Sequence, residues 1–220
     1  LFRSYFRMGV GARIVSAYVT NGESGESDVR AEYPNYLAAL RRSEAAKALA
    51  LLGGEEYFLN MPDFGSARDT AVVRSQWSID TLQMRLSKLL TDLRPDVILI
   101  ARDRAVDGRS PQREVLTDVL LRALRKLEPT AAEKKAGGAD EMFRWNVDRV
   151  LLETGSRAGA RVPADRVHPL WKKSYLMLGD EAGKAYASLT VSRTQWYGPG
   201  QPVAYETIYP RPSRQLKSVD

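Results

Sequence analysis

Cysteine is absent from this sequence, and histidine occurs once, as His168. Without cysteine there are no disulfides, no thiolate nucleophile and no cysteine-ligated metal, although the compartment stays open. His168 stands between Asp165-Arg166-Val167 and Pro169, where a surface or capping imidazole is the plainest reading. No apolar run approaches the roughly 18 residues that cross a bilayer. The opening Leu1-Phe2-Arg3-Ser4-Tyr5-Phe6-Arg7 is no signal peptide, so a soluble protein is expected, cytoplasmic or exported after cleavage of an upstream segment. There is no internal repeat, and no reader motif or basic helix of the kind that contacts bases, so nucleic acid is not an expected partner.

What is present suits one sizeable core. The 220 residues are 44% hydrophobic and 27% charged, which predicts a single domain over residues 1–220. Thirty-three basic against 27 acidic residues leave a formal charge of +6. That excess would favour anionic partners, but a solvated surface explains it as well. The chain starts without methionine and inside what reads as a helix, so an upstream segment is expected.

Residues Ala12 to Thr20 form an apolar, β-branched run closed by Asn21-Gly22, which predicts a buried strand ending in a turn. Glu23 to Pro34 reads as a surface loop above the strand ends. From Tyr36 to Leu52 the residues Leu37, Leu40, Ala45, Ala48, Leu49 and Leu52 make a helical stripe that Gly53-Gly54 ends, and Tyr57-Phe58-Leu59 is a short strand. The pattern repeats with a helix over Ile79 to Leu93, a stop at Pro95 and an apolar strand over Asp96 to Ile100. Ser110-Pro111 then opens a helix carrying Val115, Val119, Leu120, Ala123 and Leu127. This alternation predicts an α/β fold of the doubly wound, Rossmann-like kind, with a mainly parallel sheet and helices on both faces.

Pro129 to Asp140 has linker composition, and Val147 to Glu153 is a further strand. Lys172 to Arg193 is helical with a break around Gly179-Asp180, and Gly198 to Pro212 should wrap the surface without regular helix. The tail aromatics Trp196, Tyr197, Tyr205 and Tyr209 would cover a sheet edge or the core, or else form a contact surface.

Ligands of an open parallel sheet bind beyond the carboxyl ends of its strands. Those ends hold Thr20-Asn21-Gly22-Glu23, Asn60-Met61-Pro62-Asp63 and Ala101-Arg102-Asp103, followed by Asp107-Gly108-Arg109-Ser110-Pro111-Gln112-Arg113-Glu114. Asn21, Glu23, Arg41, Asp63, Asp103 and Arg113 are therefore the candidate ligand-binding residues. Arg41 could orient the loop after Thr20 or meet a phosphate, and a helix-face ion pair with Glu44 is an equal alternative. Arg102, Arg104, Arg109 and Arg113 cluster enough positive charge to bind an anion.

Taken in order, Val19-Thr20-Asn21-Gly22-Glu23-Ser24-Gly25, Arg41-x-x-Glu44-x-x-x-Ala48, Leu51-Leu52-Gly53 and Arg94-Pro95-Asp96-Val97-Ile98 resemble the PIG-L/LmbE-like deacetylase family. The likeness runs from about Tyr5 to Leu127, leaving residues 128–220 as a divergent C-terminal part with a weak echo at Ser192-Arg193-Thr194-Gln195. It implies a zinc-dependent removal of acetyl groups from N-acetylglucosamine-type substrates. Such chemistry takes two histidines and an aspartate on the metal, an open position for water, and an aspartate as base.

The resemblance places the first His/Asp motif upstream of Leu1 and the second histidine in a His-Pro-Asp-His tetrad. Here that tetrad reads Ser110-Pro111-Gln112-Arg113, and a guanidinium has no lone pair for zinc. Asp103 or Glu114 would have to replace the missing ligand. Asp63 falls where the family often contacts a sugar hydroxyl, with turn capping as the alternative, and Ser192 takes the place of an oxyanion-stabilising histidine.

The expected function is therefore a deacetylase-like domain without catalysis, kept for structure, for assembly with another protein chain, or for binding an acetylated amino-sugar or other anionic small molecule. No cofactor is expected on that reading. The alternative is an active deacetylase or amidohydrolase completed by the upstream motif, with zinc as its cofactor.

Overall fold

The computed structural model describes residues 9–25, 33–101, 110–128, 145–154, 160–162, 165–188 and 203–210. The chain divides into two compact units: Leu1–Ala67 with Ala160–Ala204, and Arg68–Gly159 with Tyr205–Asp220.

In the first unit, strand β1 (Val15–Tyr18) leads to helix α1 (Pro34–Leu52) and strand β2 (Glu55–Phe58). Pro34 fits the first helical turn, where no N–H is required, and Gly53 ends the helix in the left-handed region at φ 67°. The strands run parallel in register, from Val15 opposite Glu55 to Tyr18 opposite Phe58. Backbone pairing continues past them, with Leu59 N–H on Tyr18 O at 2.8 Å and Met61 N–H on Val19 O at 2.9 Å. Leu37, Ala45, Ala48, Leu49 and Leu52 are buried on α1, and so is Glu44, which takes a place in the apolar stripe.

The unit also holds β5 (Ala160–Val162) and helix α5 (Tyr175–Gly183), which packs on α1 through Tyr175, Leu178 and Ala182. Helix α5 runs through Gly179-Asp180, correcting the break expected there. A mid-helix glycine costs only about 1 kcal/mol, and the Ser174 cap on Met177 N–H at 3.2 Å, with Leu178 and Ala182 buried, offsets it.

In the second unit, α2 (Thr70–Gln76) and α3 (Ile79–Leu93) precede β3 (Val97–Ile100), α4 (Pro111–Leu127) and β4 (Arg149–Thr154), with most of β6 (Val203–Pro210) following. Strands β3 and β4 are parallel, Val97 opposite Arg149 through Ile100 opposite Leu152, and β4 also neighbours β6. The two parallel pairs thus lie in separate sheets among the described residues. Helix α4 packs against α2 and α3. Its buried Val115, Val119, Leu120, Ala123 and Leu124 face a core that includes Val73, Leu82, Leu86, Leu89 and Leu90. Each buried valine or leucine among them stabilises the fold by about 1.5–3 kcal/mol.

The chain is an α/β protein. Besides the unbroken α5 and the short strand β5, which the sequence did not suggest, two elements differ from the pattern read in the sequence. Helix α2 was not foreseen, and residues 203–210 form a strand with Tyr205 buried, where an irregular wrap was expected. Pro210 sits at the end of that strand, a position where its missing N–H does little harm. The expected N-terminal helix, the 129–140 linker and Trp196 and Tyr197 lie outside the described residues.

Candidate functional site

The carboxyl ends of β1 and β2 lie side by side because the strands are parallel, so the loops after Tyr18 and Phe58 meet. Glu23 and Asp63 tie these loops together reciprocally. The Glu23 carboxylate accepts Asn21 N–H on Oε2 and Asp63 N–H on Oε1, both at 3.1 Å. Asp63 in turn accepts Ser24 N–H on Oδ2 at 3.3 Å and Gly65 N–H on Oδ1 at 3.1 Å. Both carboxylates therefore act as acceptors for orphan backbone donors, the task such groups perform in turns.

Arg41 approaches from α1 and donates through Nη1 to Gly22 O. Gly22 turns at φ 78°, and a Cβ there would stand 2.7 Å from Arg41 Cδ. Glycine is thus required twice over at this position, for the left-handed backbone and for room against Arg41. Glu44, one turn further along α1, does not pair with Arg41. Its oxygens accept Ser188 N–H at 2.8 Å and Ser188 Oγ–H at 2.6 Å, with Glu44 3% exposed and Ser188 fully buried. The ion pair considered for Arg41 and Glu44 is replaced by two separate anchors, one on the loop and one on the segment after α5.

Arg42, which the sequence did not single out, fastens both strand exits. Its Nη1 donates to Asn60 Oδ1 at 3.0 Å and to Asn21 Oδ1 at 3.3 Å, while the guanidinium carbon lies 4.5 Å from the centre of the Phe58 ring. Asn60 holds φ 52° and donates to Phe58 O at 3.0 Å, so a polar side chain stabilises a backbone that few residues adopt. Its adjacency to Arg41 in the middle of α1 was the only sequence signal for it.

A cavity of about 210 Å³ opens at these strand ends, lined by Tyr18, Thr20, Asn21, Gly22, Arg41, Ala45, Phe58 and Tyr186. Tyr18 stacks on Phe58, its cross-strand partner, with ring centres 4.9 Å apart at 17°. The Tyr18 and Tyr186 hydroxyls share a hydrogen bond of 2.7 Å. Tyr186 comes from the segment that Glu44 anchors through Ser188, two residues on. Aromatic faces, two hydroxyls, an amide and a guanidinium suit a small polar ligand with one apolar face.

The tetrad Ser110-Pro111-Gln112-Arg113 belongs to the second unit and opens α4. Ser110 Oγ accepts Arg113 N–H at 3.2 Å as an N-cap, and Pro111 takes the first helical position. Arg113 donates through Nη1 to Glu153 O at 3.3 Å, at the end of β4. Asp103, Arg102, Arg104 and Arg109 lie outside the described residues, so the proposed basic cluster is represented only by Arg113. Elsewhere on α4, Asp118 accepts from Arg74 at 2.8 Å and from Arg122 at 3.1 Å. Those hydrogen bonds, Arg74 first, hold the Asp118 carboxyl below its ordinary range.

The described residues do not make a zinc site. Among the described residues no three histidine, aspartate or glutamate side chains converge on one point. His168 is buried, and its Nδ1 accepts Leu170 N–H and Trp171 N–H, both at 3.2 Å, so it caps a turn.

Solved structures share the fold, three of them as follows. One is GalB, the 4-carboxy-2-hydroxymuconate hydratase from Pseudomonas putida KT2440, with TM-score 0.57 and 15% identity over 97% of this chain and 91% of that one. A second is the conserved protein TT1542 from Thermus thermophilus, with TM-score 0.57 and 18% identity over 99% of this chain and 90% of that one. The third is N,N'-diacetylchitobiose deacetylase from Pyrococcus horikoshii, with TM-score 0.57 and 17% identity over 85% of this chain and 63% of that one. No curated protein matches by sequence. At such identities the likeness carries the fold alone, and a hydratase and a deacetylase on one scaffold show that fold does not choose chemistry. The family profile described as PIG-L: GlcNAc-PI de-N-acetylase matches residues 7–124, more than half of the sequence, and the chain belongs to that family.

Proposed function

We propose that this chain is a non-catalytic PIG-L-type domain that binds an acetylated amino-sugar, or another small anionic ligand, at the carboxyl ends of β1 and β2. The observation that carries the reading is the replacement of the His-Pro-Asp-His tetrad by a helix cap. Ser110 and Arg113 have backbone work to do, and neither offers a metal a lone pair in the family's manner. Glu23 and Asp63, in the loops after β1 and β2, support the same reading because each carboxylate oxygen already receives a backbone N–H.

Binding is supported by the cavity. Its Arg41, Asn21 and tyrosyl hydroxyls provide donors for hydroxyl, carbonyl or phosphate oxygens, and the Tyr18 and Phe58 rings provide an apolar wall. The deacetylase named among the structural neighbours makes an acetylated sugar the first ligand to try.

Calorimetric titration of the full-length protein with an N-acetylglucosamine conjugate, run beside an assay for released amine, tests the proposal. Saturable heat without amine release is expected, with about tenfold weaker binding in Arg41→Ala, the size of one charge-assisted hydrogen bond. Catalytic release of the amine would overturn the non-catalytic reading in favour of the zinc-dependent alternative.

A further inference from the structure

Residues 165–175 form a turn that the strand-end site does not use. Val167 and Ser174 make an antiparallel bridge across its base. His168 N–H donates to Lys173 O at 2.8 Å, Lys172 N–H to His168 O at 3.0 Å and Tyr175 N–H to Arg166 O at 3.1 Å. The His168 ring fills the turn from inside, edge-on to Trp171 and Tyr175 at centroid distances of 6.4 and 5.9 Å.

This construction holds apolar side chains outward. His168 is 8% exposed, whereas Leu170 is 82%, Val167 56% and Trp171 52% exposed. Single exposed apolar residues are ordinary, but a cluster on a fixed projection marks an interaction site. Lys172 at φ 54° adds a strained backbone to the same end.

The hydrogen bonding says what kind of surface the tip suits. Nδ1 of His168 satisfies Leu170 N–H and Trp171 N–H from within, so these two backbone donors stay met when the tip leaves water. Charge points the same way. Lys173 is held by Glu181 at 2.6 Å and Lys184 lies 4.0 Å from Asp180, which leaves exposed Arg166 and Lys172 beside the tip, with Asp165 as the exposed acid at its base. The chain as a whole carries +6.

We infer that this turn is a peripheral membrane-docking tip. Leu170 and Trp171 enter the headgroup boundary of an anionic lipid surface, and Arg166 and Lys172 meet its phosphate and carboxylate groups.

Co-sedimentation of the full-length protein with phosphatidylcholine vesicles, with and without about 30% phosphatidylserine, tests the inference. Retention on the anionic vesicles should exceed that on the neutral ones by about tenfold and fall with added salt. Leu170→Ser/Trp171→Ser should lose at least about tenfold of that retention while melting at the wild-type temperature, since both side chains are exposed. Lys172→Glu should lose less. Undiminished retention of the double variant would assign binding to overall charge and overturn the inference. No retention of the wild type would overturn it as well, leaving the tip to a protein partner.

Discussion

The two places where the family pattern points to chemistry have fared differently. At the ends of β1 and β2, Asn21, Gly22, Glu23, Arg41 and Asp63 remain and build a hydrogen-bonded clamp around a cavity. At the start of α4, Ser110-Pro111-Gln112-Arg113 forms a helix cap whose arginine reaches a strand carbonyl. One region offers a concave, polar surface that a ligand could use, and in the other the polar groups serve the backbone. Retained polar residues are therefore weak witnesses to activity until their hydrogen-bond partners are known.

The sharpest way to break this comparison is to remove the anchor under the first region. Glu44→Ala should lower stability by about 3–5 kcal/mol in urea unfolding, because Ser188 N–H and Oγ–H would be left buried without an acceptor. A loss below about 1 kcal/mol, the net worth of one ordinary hydrogen bond, would mean that the segment carrying Tyr186 is held by something else. Gly22→Ala comes next, at about 1–3 kcal/mol, from the strained left-handed backbone and the contact with Arg41. It should also weaken ligand binding at the cavity, which calorimetry would register.

In the second region the expected losses are smaller. Ser110→Ala should cost about 1 kcal/mol, and Ser110→Asp should restore it, since any short acceptor can cap Arg113 N–H. A much larger loss on Ser110→Ala would show that Ser110 does more than cap. Smallest of all is Asp118→Asn on the same helix, worth a few tenths of a kcal/mol after solvent screening, because Asp118, Arg74 and Arg122 are all partly exposed. The Asp118 carboxyl is lowered in the folded state, so its contribution is present above the ordinary carboxylate range and fades as pH falls through the folded value. The difference between wild type and Asp118→Asn should vanish in acid, as paired melting curves would show.

Local chemistry was legible in the sequence and distant partnership was not. The C-terminal ends of α1 and α3 and the start of α4 follow from Gly53, Pro95 and the Ser110-Pro111 pair, whereas Pro34, read as the end of a loop, opens α1. Helix α2 escaped notice because its seven residues are too few for a period and Val73 alone is buried. Strand β6 was hidden by the surrounding proline, glycine and tyrosine, which read as turn-forming composition. In the site, the loops after β1 and β2 could be located, and Asn21, Glu23, Arg41 and Asp63 do meet there. That Glu44 would find Ser188, 144 residues away, or that Tyr18 would share a hydrogen bond with Tyr186, is written in no local pattern. A carboxylate in an apolar stripe signals a buried partner, but the fold alone names it.

The central claim is that these loops serve as architecture and as a ligand cradle without a metal centre. Zinc per chain, measured by mass spectrometry on the full-length protein after purification in zinc-supplemented buffer, tests it most directly. The account predicts far less than one zinc per chain, whereas one tightly held zinc would contradict it.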